Sequence, residues 1–395
     1  MKSIVLTSTS VDTETAVAEI VAGLTVEMSG SSPDLVVVFA TDDHVAGLES
    51  ASETLRSALN PACLIGTTAG GIVGDDHEIE NGAALVVFAA VLPGVVLEPF
   101  HMAFEQSEET GRIRGFPFDS QNQDDHGGAL LFGDPFTFPM DVLLRVVNER
   151  RPGLPLFGGM ASGGSFPGSN RLLLDDAILD EGAVGVLISG NVVLKTVVSQ
   201  GCRPVGRHFV VTKGGENVIE ELGGRPALGV LQELLDSLDD EDRELLRGAL
   251  HIGRATDEYR SEFKRGDFLV RSVTGVDRAR GAFAINDSIR RGQTVQFHVR
   301  DPASASEDLE LLLEEQAPFF AEHPPVGALL FSCNGRGTHM FSAPDHDLVG
   351  IHQSVEGPPV AGFFAAGEIG PVGGQNFLHG FTASMAFFCR PADAE

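Results

Sequence analysis

The sequence predicts an α/β protein whose mixed sheets are built from repeated β-α-β units with antiparallel extensions, divided into two domains. Three observations predict it. The string GALLF occurs twice, at residues 128–132 and 327–331, and LVVVF at 35–39 has the same character. Short runs rich in Leu and β-branched residues read as buried strands. Each run is followed by a helical-looking segment and then by a second apolar run ending in glycines: CLIGTTAGG from Cys63, LFGGMASGG from Leu156 and VAGFFAAGE from Val360. The spacing from the strand Phe to the first Gly is 27, 26 and 31 residues (39 to 66, 132 to 158, 331 to 362), which suits a strand–helix–strand crossover of about 30 residues.

Beyond each glycine turn comes another apolar run, at 84–91, 183–189 and 381–388. In the first two copies a further extended run follows, at 95–102 and 192–199, across the turn residues Pro93-Gly94 and Gly190-Asn191; such dipeptides join antiparallel strands. Between the second and third copies the pattern changes. Residues 230–250 have helical periodicity and a dense acidic face, 268–300 alternate strands with turns, and 302–320 begin with Pro and run helical. GGEN and GGRP punctuate residues 214–225. The expected division is an N-terminal domain over 1–218 with two repeat units and a C-terminal domain over 219–395 with the third.

Composition removes several function classes. The chain has 395 residues, 27 Lys+Arg against 56 Asp+Glu, and a formal net charge of -29. That surface repels phosphate backbones, so neither nucleic acid nor an anionic membrane is an expected partner. With 26 Phe, one Tyr and no Trp, aromatic cages and base-stacking platforms are disfavoured. Four Cys with no CxxC do not make a disulfide framework. The apolar stretch 83–97 is broken by Pro93-Gly94 and falls short of the ~20 residues a spanning helix needs. The start lacks a signal-peptide pattern, and a cytoplasmic location is expected.

Candidate binding residues cluster after the buried runs. Ser332-Cys333-Asn334-Gly335-Arg336-Gly337 directly follows the second GALLF strand, and open α/β sheets bind ligands at carboxyl ends of strands. Asn334 and Arg336 offer donors for a carboxylate or amide. Glu368 ends the third glycine turn, with Asn376 and His379 in the next loop; Arg336 and Glu368 together suit a zwitterion, or else pair with each other and hold two loops. Gly158-Gly159 and Ser162-Gly163 offer backbone N–H groups as an anion nest, with Cys202-Arg203 at a rim. Neither G-x-G-x-x-G in a strand–helix context nor G-x-x-x-x-G-K-[ST] is present, so no nucleotide cofactor is expected. Cys333 with His379 as base and Glu368 orienting it is the alternative, a thiol-dependent acyl or amide chemistry. Against it, a free Cys is most often a small buried hydrophobe. Cys333, His339, His346 and His352 are spaced too irregularly for a metal site.

With these strings in place the chain resembles the FIST family, which pairs FIST N and FIST C domains. The matching strings are GTTAG from Gly66, FGGMASGG from Phe157, SGN followed by SQGCRPVG from Ser189, GDFLVRSVTG from Gly266, FSCNGRG from Phe331, and GFFAAGEIGP from Gly362 with the following NFLHG. The resemblance spans roughly residues 30–390 in family order. It implies an intracellular sensory module for a small ligand such as an amino acid; with no signalling output of the family's kind read in this sequence, a signal is expected to pass through a separate partner or a change in self-association.

Overall fold

Each of the three runs at 35–39, 128–132 and 327–331 becomes the first strand of a parallel pair. The computed structural model describes residues 1–74, 76–106, 111–120, 126–248, 250–260, 262–263 and 266–392. The chain begins with β1 (Lys2–Ser8) and α1 (Thr13–Glu27). Repeat 1 consists of β2 (Leu35–Thr41), α2 (Leu48–Leu59), β3 (Cys63–Ala69), a hairpin of β4 (Ile72–Gly74) and β5 (His77–Ile79), and β6 (Leu85–Val91). After β7 (Val95–Gln106) and β8 (Gly111–Arg114), repeat 2 has β9 (His126–Gly133), α3 (Met140–Arg150), β10 (Leu156–Met160), a hairpin of β11 (Leu172–Leu174) and β12 (Ala177–Leu179), and β13 (Ala183–Gly190).

Next come β14 (Val193–Ser199), β15 (Cys202–Gly215), β16 (Val218–Leu222), β17 (Arg225–Pro226), α4 (Ala227–Ser237), α5 (Asp240–Gly248), β18 (His251–Ala255), β19 (Phe268–Asp277), β20 (Ala282–Ile285) and β21 (Thr294–Arg300). Helices α6 (Pro302–Glu314) and α7 (Ala317–Glu322) precede repeat 3. That repeat has β22 (Pro325–Cys333), α8 (His346–Ser354), β23 (Val360–Ala365), a hairpin of β24 (Glu368–Val372) and β25 (Gln375–His379), and β26 (Ala383–Cys389). The architecture is thus mixed α/β, and the strands and helices read from the sequence are found.

What sequence periodicity did not show is the hairpin in each repeat, and where it goes. The hairpin of repeat 1 extends the sheet of repeat 3 (order β14-β26-β22-β23-β4-β5), that of repeat 2 the sheet of repeat 1 (β1-β6-β2-β3-β11-β12), and that of repeat 3 the sheet of repeat 2 (β25-β24-β10-β9-β13-β7-β8). The exchange closes a cycle. It is sealed by one hydrogen bond repeated three times: Thr68 N–H to Arg171 O (3.0 Å), Met160 N–H to Gly367 O (2.8 Å) and Phe364 N–H to Gly71 O (2.9 Å).

The register explains the glycines. Phe39, Phe132 and Phe331 occupy one position in the three first strands, facing Thr67, Gly159 and Phe363 on the second. They meet in a shared core, with ring centroids 5.5 Å apart for Phe39–Phe132 and 6.1 Å for Phe132–Phe331. One residue earlier, Gly66, Gly158 and Gly362 face Val38, Leu131 and Leu330. A Cβ at any of the three would overlap the carbonyl oxygen of that neighbour, so glycine is required by close backbone approach. These first glycines, and Gly159 beside them, therefore lie inside strands rather than in turns.

By internal contacts the chain forms two compact units, Met1–Val198 with Glu310–Glu395, and Ser199–Leu309. The first holds all three repeats. In the second, β15-β21-β18-β19-β20-β16 run in order and β16 pairs back onto β15. This closes a six-stranded antiparallel barrel filled by Val211, Ile219, Ile252, Phe283, Ile285, Val295 and Phe297. A barrel of this size is packed solid by its own side chains.

Candidate functional site

The carboxyl end of β22 carries the polar residues that the repeat pattern does not require. Beyond Ser332 and Cys333 the chain tightens into a turn, with Arg336 N–H donating to Cys333 O at 2.8 Å and Asn334 N–H to Ala365 O at 3.1 Å. Gly335 N–H donates to Cys333 Sγ at 3.4 Å. A Cβ on Gly335 would strike the Phe381 ring, so this glycine makes room for an aromatic lid. The turn places Arg336 fully inside the protein.

Arg336 is neutralised there by a residue the sequence reading did not pair with it. Its Nε donates to Asp347 Oδ2 at 2.8 Å and its Nη2 to Oδ1 at 2.6 Å. Asp347 also accepts the Ser332 hydroxyl at 2.7 Å and bonds His346 Nδ1 at 3.0 Å. Burial alone would raise the Asp347 carboxyl, but the guanidinium reverses this and holds it well below the usual carboxylate range. The bidentate fork is the geometry Arg adopts with carboxylates. The buried partner found for Arg336 is thus Asp347, where the sequence had suggested Glu368.

Glu368, also fully buried, opens β24 and stands opposite Gly159 of β10 and His379 of β25. Its Oε2 accepts the Thr382 N–H at 3.1 Å, and the Cys333 thiol hydrogen-bonds to its carboxyl group. Burial first, and then the negative Glu368, push the Cys333 thiol up to about 12. At neutral pH it is a protonated thiol, which weighs against Cys333 as a resting nucleophile. His379 donates its Nε2–H to Gly370 O at 2.9 Å, fixing the tautomer by that bond.

Phe381 completes the cluster. It has a φ of 63°, the left-handed region, and the residue is 38% exposed. Its carbonyl accepts Arg336 Nη1 at 3.5 Å, and its backbone also hydrogen-bonds to the Cys333 sulfur. A bulky residue in this conformation is strained, and such strain concentrates at functional sites.

Of the residues singled out from sequence, the fold brings together Cys333, Arg336, Glu368 and His379. Asn334 is exposed. Asn376 is committed elsewhere: its side chain accepts Leu156 N–H at 2.8 Å and donates to Leu154 O and Asn148 Oδ1 at 2.9 and 3.0 Å. Gly158 and Gly159 give their amides to a strand. Ser162 is the junction of the three strand ends, because its hydroxyl donates to Phe364 O and accepts Gly70 N–H at 3.0 Å. Gly163 packs on Thr68. Cys202 and Arg203 belong to the second compact unit, where Cys202 is buried and Arg203 pairs with Asp242 and lies 3.6 Å from Asp301. Among the described residues, no group of three or more His, Cys, Asp or Glu side chains is placed to hold a metal ion.

The register shows what sets repeat 3 apart. The hairpin pair Glu368–His379 occupies the place of Ile72–Ile79 in repeat 1 and Leu172–Leu179 in repeat 2. Two repeats fill that place with aliphatic side chains; the third puts a carboxylate and an imidazole there, beside a thiol. Asp347, Phe381 and Thr382 were missed from sequence. Aligning the hairpins would have exposed Glu368 as the odd residue, whereas a strained phenylalanine leaves no trace in a residue string.

The class of protein defined here is an α/β fold of three interlocked repeats, one of which carries a buried polar cluster at its strand ends. Family comparison narrows the class: the FIST N domain matches residues 34–225 and the FIST C domain residues 227–371. The chain belongs to the FIST family, whose domains serve sensing and signal transduction and are suggested to bind small ligands. The family boundary near 226 falls inside the second compact unit. Uncharacterized protein Rv0628c of Mycobacterium tuberculosis is 43% identical over 381 residues, 96% of this chain and 98% of its own length. Uncharacterized protein Mb0898c of Mycobacterium bovis is 40% identical over 380 residues, 96% and 97% respectively. No helix among the described residues is long and apolar enough to cross a membrane.

Proposed function

We propose that this chain is a cytoplasmic small-ligand sensor whose ligand contacts Glu368, with Cys333, His379 and Phe381 around it, and whose signal passes to a separate partner protein. The observation that carries the reading is the replacement of an aliphatic pair by Glu368 and His379 in one repeat of three. Burying these groups costs stability that Ile or Leu would not, so their presence calls for a role besides packing. Amino acids fit through their ammonium group. Their carboxylate finds Arg336 already occupied by Asp347, so small carboxylates as such fit less well. A ligand that binds one arrangement of the β22–β24 strand ends better than another shifts the population toward it, and a partner surface with it.

The test restores the pattern of the other repeats. In the double variant Glu368→Leu/His379→Leu we expect an unchanged or higher Tm, together with loss of every thermal shift that a screen of amino acids and small carboxylates gives in the parent chain. A screen dye is needed, since the chain has one Tyr and no Trp. Retention of the shifts in a folded double variant would sink the site. A sharp fall in Tm would show that the polar pair serves the fold.

A further inference from the structure

We propose that the seam between the β4–β5 hairpin of repeat 1 and the start of α8 in repeat 3 is a pH-operated clasp, shut while the Glu78 carboxyl carries a proton and released when that proton leaves. The clasp stands apart from the ligand reading above, because none of its residues is assigned to the ligand there.

The seam is built by an exchange of bonds between two repeats. Asp345 immediately precedes α8 with a φ of 60°, and its side chain makes no capping bond to its own helix. It accepts the Glu78 N–H at 2.6 Å instead. Glu78 answers from β5: its Oε1 accepts the Leu348 N–H at 2.9 Å, in the first turn of α8, and its carboxyl also takes the Asp347 N–H. A carboxyl on the free amides of a helix start, with the cap residue bonding that carboxyl's own amide, is the reciprocity of a capping box. Here its two halves come from different repeats. Repeats 2 and 3 have no counterpart, since Ile178 and Leu378 stand at the position of Glu78.

The exchange also gathers charge of one sign. Glu78 is buried at 8% exposure, its Oε2 has no partner among the described residues, and the carboxylates of Asp345 and Asp347 act on it from α8. Asp347 holds the Arg336 guanidinium. His77 Nδ1 lies 3.2 Å from Asp345 and His346 Nδ1 3.0 Å from Asp347. Glu80, two residues along the hairpin, takes the Thr338 N–H and hydroxyl at 2.8 and 2.9 Å. Even with the two helix amides bonded to it, burial first, then Asp347 and Asp345, raise the Glu78 carboxyl from 4.5 to about 7.

The shut clasp therefore binds the proton more tightly than the open one, where Glu78 meets water and returns to about 4.5. Opening becomes easier as pH rises between those two values and gains little above about pH 7. It frees the start of α8, and with it Asp347, the residue that holds Arg336. The proton on one repeat's hairpin thus biases the polar cluster of another.

Hydrogen exchange on the full chain at pH 6 and pH 8, corrected for the intrinsic rate of each amide, reads the clasp directly. The Leu348 and Glu78 amides should be less protected than those of β22, the mark of a local opening. Their protection should fall about tenfold from pH 6 to pH 8, the change that a carboxyl held at about 7 when shut and 4.5 when open imposes on the opening equilibrium. Glu78→Gln keeps an acceptor for the Leu348 N–H without the charge, so its clasp should stay shut at both pH values. Asp345→Asn keeps an acceptor for the Glu78 N–H and removes one carboxylate, so the midpoint of the change should move to lower pH. His77→Gln should leave the change in place. Equal protection at both pH values in the parent chain would overturn the proposal. So would a change that survives in Glu78→Gln, which assigns the titration to a histidine, or protection equal to that of β22, which leaves no opening short of global unfolding. Should Glu78→Gln fail to fold, Asp345→Asn carries the test, and an unmoved midpoint there overturns the clasp.

Discussion

Repeat 2 and repeat 3 share a first strand down to the string GALLF, yet their hairpins do opposite things. In repeat 2 the hairpin positions are Leu172, Leu173, Ile178 and Leu179; in repeat 3 they are Glu368, Ile369, Leu378 and His379. Repeat 1 is intermediate, with Ile72, Val73 and Ile79 aliphatic but Glu78 where the others have Ile178 and Leu378. One backbone plan thus appears in an all-apolar version and in two polar versions that depart at different positions. The plan is held by features common to all three copies, and specialisation sits where a copy deviates.

The largest expected effect comes from attacking the common plan. Gly158→Ala puts a methyl group onto the Leu131 carbonyl oxygen at a φ of 142°, and neither backbone can yield without breaking the parallel pair. We expect a loss of roughly 4 kcal/mol or more, read as a fall in the urea midpoint or as failure to fold. Gly66→Ala and Gly362→Ala meet the same kind of overlap at unremarkable φ and should fall just behind. Gly374 has a φ of 78° with open space around it, so Gly374→Ala should cost only about 1–2 kcal/mol. Comparable losses at Gly158 and Gly374 would mean that φ, and not the close strand approach, dictates the repeated glycine.

A second effect tests the deviation of repeat 1. Glu78 is buried at 8% exposure; its Oε1 accepts Leu348 N–H at 2.9 Å near the start of α8, and Oε2 has no partner among the described residues. Asp345 accepts the Glu78 N–H at 2.6 Å. Burial, then the charge of Asp347, with Asp345 adding to it, raise the Glu78 carboxyl from its ordinary 4.5 to about 7. The folded chain therefore holds this proton more tightly than the unfolded one. The stabilising contribution is complete below about pH 4.5, declines as pH rises, and is gone above about pH 7. Summed over that window it is on the order of 3 kcal/mol. Relative to the parent, Glu78→Gln should become progressively more stable between pH 5 and pH 8, with no gain at pH 4.5. A difference that does not vary with pH would show that Glu78 titrates normally.

Much of this plan was legible in the residue string. The strands from 35, 128 and 327, their crossover helices and the returning strands all follow from apolar runs and spacing. The hairpins were not legible, because β4, β5, β11 and β12 are three residues each, too short for any period, and they pair with another repeat's sheet. The site was half legible. Arg336 and Glu368 stood out as charges beside glycines, but their partners did not: Asp347 lies 11 residues from Arg336 across the α8 boundary, and Cys333 lies 35 residues before Glu368. Pairing is a property of the cyclic exchange, and the exchange has no local signature.

The smallest expected effect concerns the point where the three repeats meet. The position four residues past the glycine shared by the three repeats is Gly70 in repeat 1, Ser162 in repeat 2 and Ala366 in repeat 3, so only one copy has a hydroxyl to offer. That hydroxyl accepts Gly70 N–H from repeat 1 and donates to Phe364 O of repeat 3, bonding both other copies at once. Ser162→Ala removes two hydrogen bonds at a partly buried place, where a net loss of about 1–2 kcal/mol is expected. Ser162→Gly should cost somewhat more, because the added backbone freedom of glycine favours the unfolded chain. Chemical denaturation of both variants separates the two contributions. If both left the urea midpoint unchanged, the three strand ends would be held by the threefold backbone bonds alone, and the apolar core around Phe39, Phe132 and Phe331 would suffice to keep the cycle closed.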